Sequence, residues 1–156
     1  MKLYLVRHGD AVDGYEDEKR PLSETGQQEA DDVGAFLQEM NVDLDFIWHS
    51  GLLRARQTAE RIAAGLQLPS DRMSEHKGLH PAEDVEPLAD ELDVETKNCL
   101  VVGHLPFLPE LAALLLTGSE NGFSIKMPTG SILCLEHIDY GGWALRFLTI
   151  PRMLKR

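Results

Sequence analysis

The feature that most limits how this chain can fold is the way its first apolar run ends. Leu3-Tyr4-Leu5-Val6 follow Lys2 without a break and stop at Arg7-His8-Gly9. A short apolar run closed by glycine is the pattern of a buried strand in a parallel sheet. In open α/β sheets, ligands bind just beyond the carboxyl ends of such strands. Arg7 and His8 are therefore expected at the strand's exit, and Gly9 lets the backbone turn sharply and pass close to a bound group. A second run, Asn98-Cys99-Leu100-Val101-Val102, stops in the same way at Gly103-His104.

The rest of the chain alternates around these two runs. An acidic loop over 10–18 leads through Lys19-Arg20-Pro21-Leu22 to a first helix. Thr25-x-x-Gln28 reads as its capping box, and Ala30, Val33, Phe36, Leu37 and Met40 share one face. A strand over 44–48 ends at His49-Ser50, where Ser50 reads as the cap of a second helix closed by Pro69. The stretch 70–97 is the least regular and holds an acidic helix from about 82 to 92. Pro106 and Pro109 suit the first turn of a helix that Gly118 ends. Strands over 131–137 and 143–149 flank Asp139-Tyr140-Gly141-Gly142, a hairpin turn. The expected fold class is α/β: a single-domain, three-layer α/β/α sandwich spanning 1–156, with a mostly parallel, mixed central sheet and a C-terminal hairpin.

The formal net charge of -11 speaks against nucleic acid or an anionic membrane as partner. No run reaches the length of a membrane span, and Arg7 cuts the N-terminal apolar run too short for a signal peptide. Cys99 and Cys134 lie in apolar strand-like runs without CxxC spacing, so buried free thiols in a reducing cytoplasm are expected. His49 reads as structural, His76 and His137 as surface or strand-edge residues. No spacing supports a zinc site, and neither metal nor cofactor is expected.

Arg7-His8 ends the first strand, Arg54 falls in the first turn of the helix after the second, and His104 ends the third. Three strand ends thus bring two guanidinium groups and two imidazoles to one side of the sheet. Arginine offers a planar fork of donors that matches phosphate oxygens. A neutral imidazole among them can attack phosphorus and carry the phosphoryl group, splitting a displacement into two steps. The arginines would neutralise the charge on the equatorial oxygens in the transition state.

Arg7-His8-Gly9, then Ser50-Gly51-Leu52-Leu53-Arg54-Ala55-Arg56-Gln57-Thr58-Ala59, then Gly103-His104 resemble the histidine phosphatase superfamily, the branch that includes phosphoglycerate mutases. Arg20-Pro21-Leu22-Ser23-x-x-Gly26 and His104-Leu105-Pro106 resemble its small SixA-type subfamily of phosphohistidine phosphatases. The resemblance implies a phosphoglycerate-mutase-like fold and a metal-independent phosphatase. In it His8 is the nucleophile, and Arg7, Arg54 and His104 hold the phosphate. Arg20 matches a position that faces the pocket in this group; its other reading is a loop arginine paired with the acidic loop.

Two departures bear on the substrate. Larger members place a glutamate general acid between the second helix and the third strand, in a motif absent here; Glu83 and Asp84 are the acids to nominate. A phosphoramidate carries a good leaving group once its imidazole is protonated, so the gap favours a P–N substrate. Larger relatives also use that interval for a cap, and little room is left for one. An open site suits a phosphohistidine on a phosphorelay or phosphotransfer protein. The alternatives are a phosphomonoesterase for small phosphate esters, acting through Glu83 or Asp84, and a non-catalytic module that binds phosphate. A mutase is not expected without the cap and the acid.

Overall fold

The computed structural model describes residues 1–155. In chain order the elements are β1 (Lys2–Arg7), α1 (Glu24–Glu39), β2 (Phe46–His49), α2 (Leu53–Gly65), β3 (Met73–Glu75), α3 (Glu86–Val94), β4 (Cys99–Gly103), α4 (Phe107–Thr117), β5 (Ile132–His137), β6 (Trp143–Thr149) and α5 (Pro151–Leu154). Short 3-10 turns lie at Asp17–Lys19, Ser70–Arg72 and Lys77–Leu79.

The strands form one sheet in the order β3-β2-β4-β1-β5-β6. The first four are parallel, and β5 and β6 close one edge as the expected antiparallel hairpin. Strand alternation sorts the core into two layers. Leu3, Leu5 and Val101 pack with Leu88 and Leu92 of α3 and Leu108 and Leu111 of α4. Tyr4, Val6 and Val102 point the other way, against Val33 and Leu37 of α1, Ala55 and Ile62 of α2, and Leu154 of α5. This is the α/β/α sandwich expected from the sequence.

Several boundaries differ from the sequence reading, each for a local reason. Ser23, not Thr25, caps α1: its hydroxyl accepts from the Gly26 N–H at 3.1 Å while its own N–H is tied to the Asp10 carbonyl at 2.9 Å. Met40 lies past the end of α1 and is exposed. Ser50 does not cap α2; Leu52 is the N-cap without a side-chain bond, and the Ser50 hydroxyl is engaged by His104. That helix ends at Gly65, four residues before Pro69, because Gln67 turns the chain at φ 54°. The acidic helix starts at Glu86, later than about 82, since a turn from His80 to Glu83 precedes it. Edge strand β3 is three residues long, too short to leave a periodic trace.

Other sequence readings hold. Gly118 ends α4 in the left-handed region at φ 82°. Cys99 and Cys134 are free and buried, and burial pushes both thiols up, which keeps them protonated. His137 ends β5 and packs edge-on against Trp143. His76 is not simply a surface residue: its ring lies 4.6 Å from Trp48, and its Nε2 meets the Glu91 carboxylate at 2.8 Å. Among the described residues no helix is long and apolar enough to cross a membrane.

Candidate active site

Pairing of β1 with β4 sets Arg7 opposite Gly103, so the two histidines that follow leave the sheet side by side. The His8 N–H bonds the Gly103 carbonyl at 3.1 Å, and the rings of His8 and His104 lie 4.9 Å apart. Both residues are buried.

The His8 ring has one defined partner. Its Nδ1 is 2.7 Å from the Gly9 carbonyl oxygen. A carbonyl can only accept, so Nδ1 carries the proton and Nε2 keeps its lone pair. Burial, aided by the charges of Arg54, Arg7 and Arg20, pulls the His8 pKa down to about 4. At neutral pH His8 is therefore an uncharged imidazole with a free Nε2, the form required of a nucleophile.

His104 is fixed from behind. Its Nε2 lies 2.6 Å from the Ser50 hydroxyl, which also accepts the Leu52 N–H at 3.3 Å. Aiming the buried hydroxyl proton at Nε2 is the arrangement that leaves it an acceptor, and this puts the His104 proton on Nδ1. Burial first, then His8 and the nearby cations, lowers the His104 pKa to about 3.

The arginines come from three different elements. Arg7, the last residue of β1, donates from Nη1 to the Met127 carbonyl at 2.9 Å. Arg54, on α2, is 5% exposed and donates to the Asp17 backbone carbonyl at 2.7 Å, with the Asp17 carboxylate 3.4 Å away. Arg20 bonds the Val12 and Ala11 carbonyls and pairs with Asp13 and Asp17. Arg20 thus lines the pocket and is at the same time paired with the acidic loop.

These groups surround a pocket of about 260 Å³ lined by Arg7, His8, Asp10, Ala11, Arg20, Arg54, Pro81, His104, Leu105 and Thr129. Among the described residues, four buried side-chain polar atoms have no partner, and three belong to this set: Arg7 Nε, Arg54 Nε and His104 Nδ1. Buried donors are rarely left without an acceptor, so the wall is built for an anion. No cluster of three or more His, Cys, Asp or Glu able to hold a metal ion occurs among the described residues.

Not every nominated residue arrives here. Glu83 and Asp84 are exposed and lie outside the lining, to which the 66–98 interval contributes Pro81. The reason is the turn from His80, which carries both carboxylates past the rim. His49 is also outside, its Nδ1 accepting from Gly51 N–H at 3.1 Å.

Supporting residues were harder to see in advance. Thr58, one helical turn after Arg54, accepts the Gly9 N–H at 3.0 Å and donates to the Arg54 carbonyl at 2.7 Å. The i, i+4 spacing was the available signal. Glu29 is a buried carboxylate that accepts from the Asp10 N–H at 2.9 Å and from the Thr129 hydroxyl at 3.0 and 3.1 Å. Burial raises its pKa, against these bonds and the Arg7 charge. It joins the turn after His8 to the turn before β5, and Gly130 there donates to the Arg7 and His8 carbonyls. Behind them, Gly9 and Gly26 pack backbone to backbone. A Cβ on Gly9 would strike Gly26, and one on Gly26 would strike the Asp10 backbone.

The geometry makes a direct prediction for the free protein. The His8 Cε1–H resonance, followed by NMR from pH 7.5 downwards, should titrate with a midpoint near 4 rather than at the ordinary 6.5. The sign follows from burial: the folded state resists taking up the proton that solvent would supply. A midpoint above 6 would show that burial and the neighbouring cations do not hold His8 uncharged through the mildly acidic range.

Comparison with known proteins adds an independent line. A family model described as "Histidine phosphatase superfamily (branch 1)" matches residues 3–80. The phosphohistidine phosphatase SixA of Escherichia coli K12 is 33% identical over 123 residues, covering 76% of this chain and 76% of its own. A solved structure of the protein histidine phosphatase SixA complexed with tungstate superposes with a TM-score of 0.90 at 29% identity, covering 99% of this chain and 100% of that one. A phosphoglycerate mutase from Plasmodium falciparum shares the fold, with a TM-score of 0.69 at 19% identity over 94% of this chain and 88% of that one.

Proposed function

The chain belongs to the histidine phosphatase superfamily, and from that premise we propose that it removes the phosphoryl group from a phosphohistidine on another protein by way of a covalent intermediate on His8. The observation that carries this reading is the His8 ring itself, its proton held by the Gly9 carbonyl and its Nε2 left free among buried donors without acceptors. The likeness to phosphohistidine phosphatases in sequence and in fold supports the substrate class.

In the first step Nε2 of His8 forms a bond to phosphorus as the bond to the substrate imidazole breaks. The substrate imidazole enters protonated on its other ring nitrogen, keeps that proton, and so departs as a neutral ring. Arg7, Arg54 and His104 hold the three equatorial oxygens, and Arg20 adds positive charge at the rim. In the second step a water oxygen bonds to phosphorus, the P–Nε2 bond breaks, and phosphate and a proton are released. Glu83 and Asp84 have no part in this scheme; the acidic residue on the pocket wall is Asp10. A protonated imidazole is a far better leaving group than an alkoxide, so a P–N substrate makes the lighter demand on an enzyme acid. We place the working unit at residues 1–156, acting without a metal in the cytoplasm, where two buried free thiols persist.

The test is a side-by-side turnover assay in EDTA, with a phosphohistidine-bearing phosphotransfer domain in one arm and a panel of small phosphate esters in the other. Fast release from the phosphoprotein, unaffected by EDTA, is the expected result. A clear preference for the esters would replace this reading with a phosphomonoesterase that uses Asp10 as its acid. Tight phosphate binding without turnover in either arm would leave a binding module.

A further inference from the structure

The two sides of the pocket mouth differ in chemistry. One side is the loop after β1, whose exposed Asp13 and Asp17 grip Arg20 and Arg54. On the other side a trough of about 420 Å³ opens directly from the pocket, with Arg7 and Leu105 lining both. The rest of its wall is apolar apart from Lys126: Pro106 and Pro109 at the start of α4, and Ile125, Met127 and Pro128 before β5. Leu105, Pro106 and Pro128 are exposed, and Ile125 is half-buried.

Resting on the reaction proposed above, we propose that this trough is the docking site of the phosphohistidine-bearing protein and receives an apolar patch beside its phosphorylated residue. An imidazole is a short side chain, so a carrier protein can bring its phosphorus to His8 only by laying its own surface on the rim. The rim offers a charged loop on one side and a strip that is apolar but for Lys126 on the other, and the apolar side chains of that strip gain by being removed from water. The strip is also joined to the phosphate clamp, since the Met127 carbonyl in its wall accepts from Arg7 at 2.9 Å.

The experiment compares Ile125→Asp with the unaltered chain on two probes, a phosphohistidine-bearing phosphotransfer domain and free phosphohistidine. The expected result is a fall of at least ten-fold in kcat/KM for the phosphoprotein, carried by KM, with turnover of free phosphohistidine unchanged. Unchanged kinetics on the phosphoprotein would overturn the proposal. If both probes lose equally, Ile125→Thr, close in size to valine, decides: a loss confined to the phosphoprotein supports the trough, and no such loss overturns it. Failure of the unaltered chain to act on the phosphoprotein, with free phosphohistidine still hydrolysed, would instead remove the protein-substrate reading on which the trough depends.

Discussion

Replacing His8 with alanine should lower turnover by at least ~10⁴-fold, the scale seen when a covalent nucleophile is removed. The second imidazole on the pocket wall cannot take its place. His104 is the other imidazole present, but its Nε2 is held at 2.6 Å by Ser50, and on the arrangement above its Nδ1 bears a proton. The fold should survive, because His8 projects from the end of β1 and its backbone bond to Gly103 does not need the side chain. The discriminating readout is the intermediate. Phosphate bound to the protein, stable to alkali and lost in acid, should be trapped by a denaturing quench at alkaline pH with the unaltered chain and be absent from His8→Ala. Retained turnover with a trapped phosphoenzyme would place the nucleophile elsewhere and end the mechanism.

Arg54→Ala should cost at least ~100-fold in kcat, the usual scale for deleting a donor aimed at transition-state charge. Its effect should exceed that of a surface arginine for two reasons. The residue is 5% exposed, so its charge acts on the phosphoryl group with little screening. Its loss also frees the Asp17 carboxylate, now 3.4 Å from it, to repel a bound phosphate. Arg54→Lys separates charge from geometry. A lysine restores a positive point charge but not the fork, so it should recover part of the phosphate affinity and little of the rate. Thermal melting of both variants shows whether the pocket stays folded, and wild-type kcat in Arg54→Ala would exclude the residue from the reaction.

What could be read from the sequence was whatever ends a strand. His8, Arg7 and His104 stand at the exits of apolar runs, and the parallel register of β1 with β4 then leaves no freedom in how they meet. Arg54 was legible because a helix's first turn after a strand opens onto the same edge. Ser50 was misread because the cap rule sees only the local chain, whereas its hydroxyl is claimed by a histidine 54 residues away. Glu29 left almost no signal, since a carboxylate beside an apolar helix face reads as solvated until the Asp10 and Thr129 turns close over it. The acidic candidates Glu83 and Asp84 lie outside the lining for the same reason in reverse. Their position depends on a turn that periodicity does not encode.

The contact between Gly9 and Gly26 bears on how such a site can change over generations. In most cores an oversized replacement can be rescued by shrinking the neighbour it strikes. Here the neighbour is main chain on both sides, and no smaller residue exists to exchange for it. A substitution at either position can be relieved only by moving the backbone that carries His8. The pair therefore offers no compensating second step, and a change at either position falls in full on the turn that carries His8.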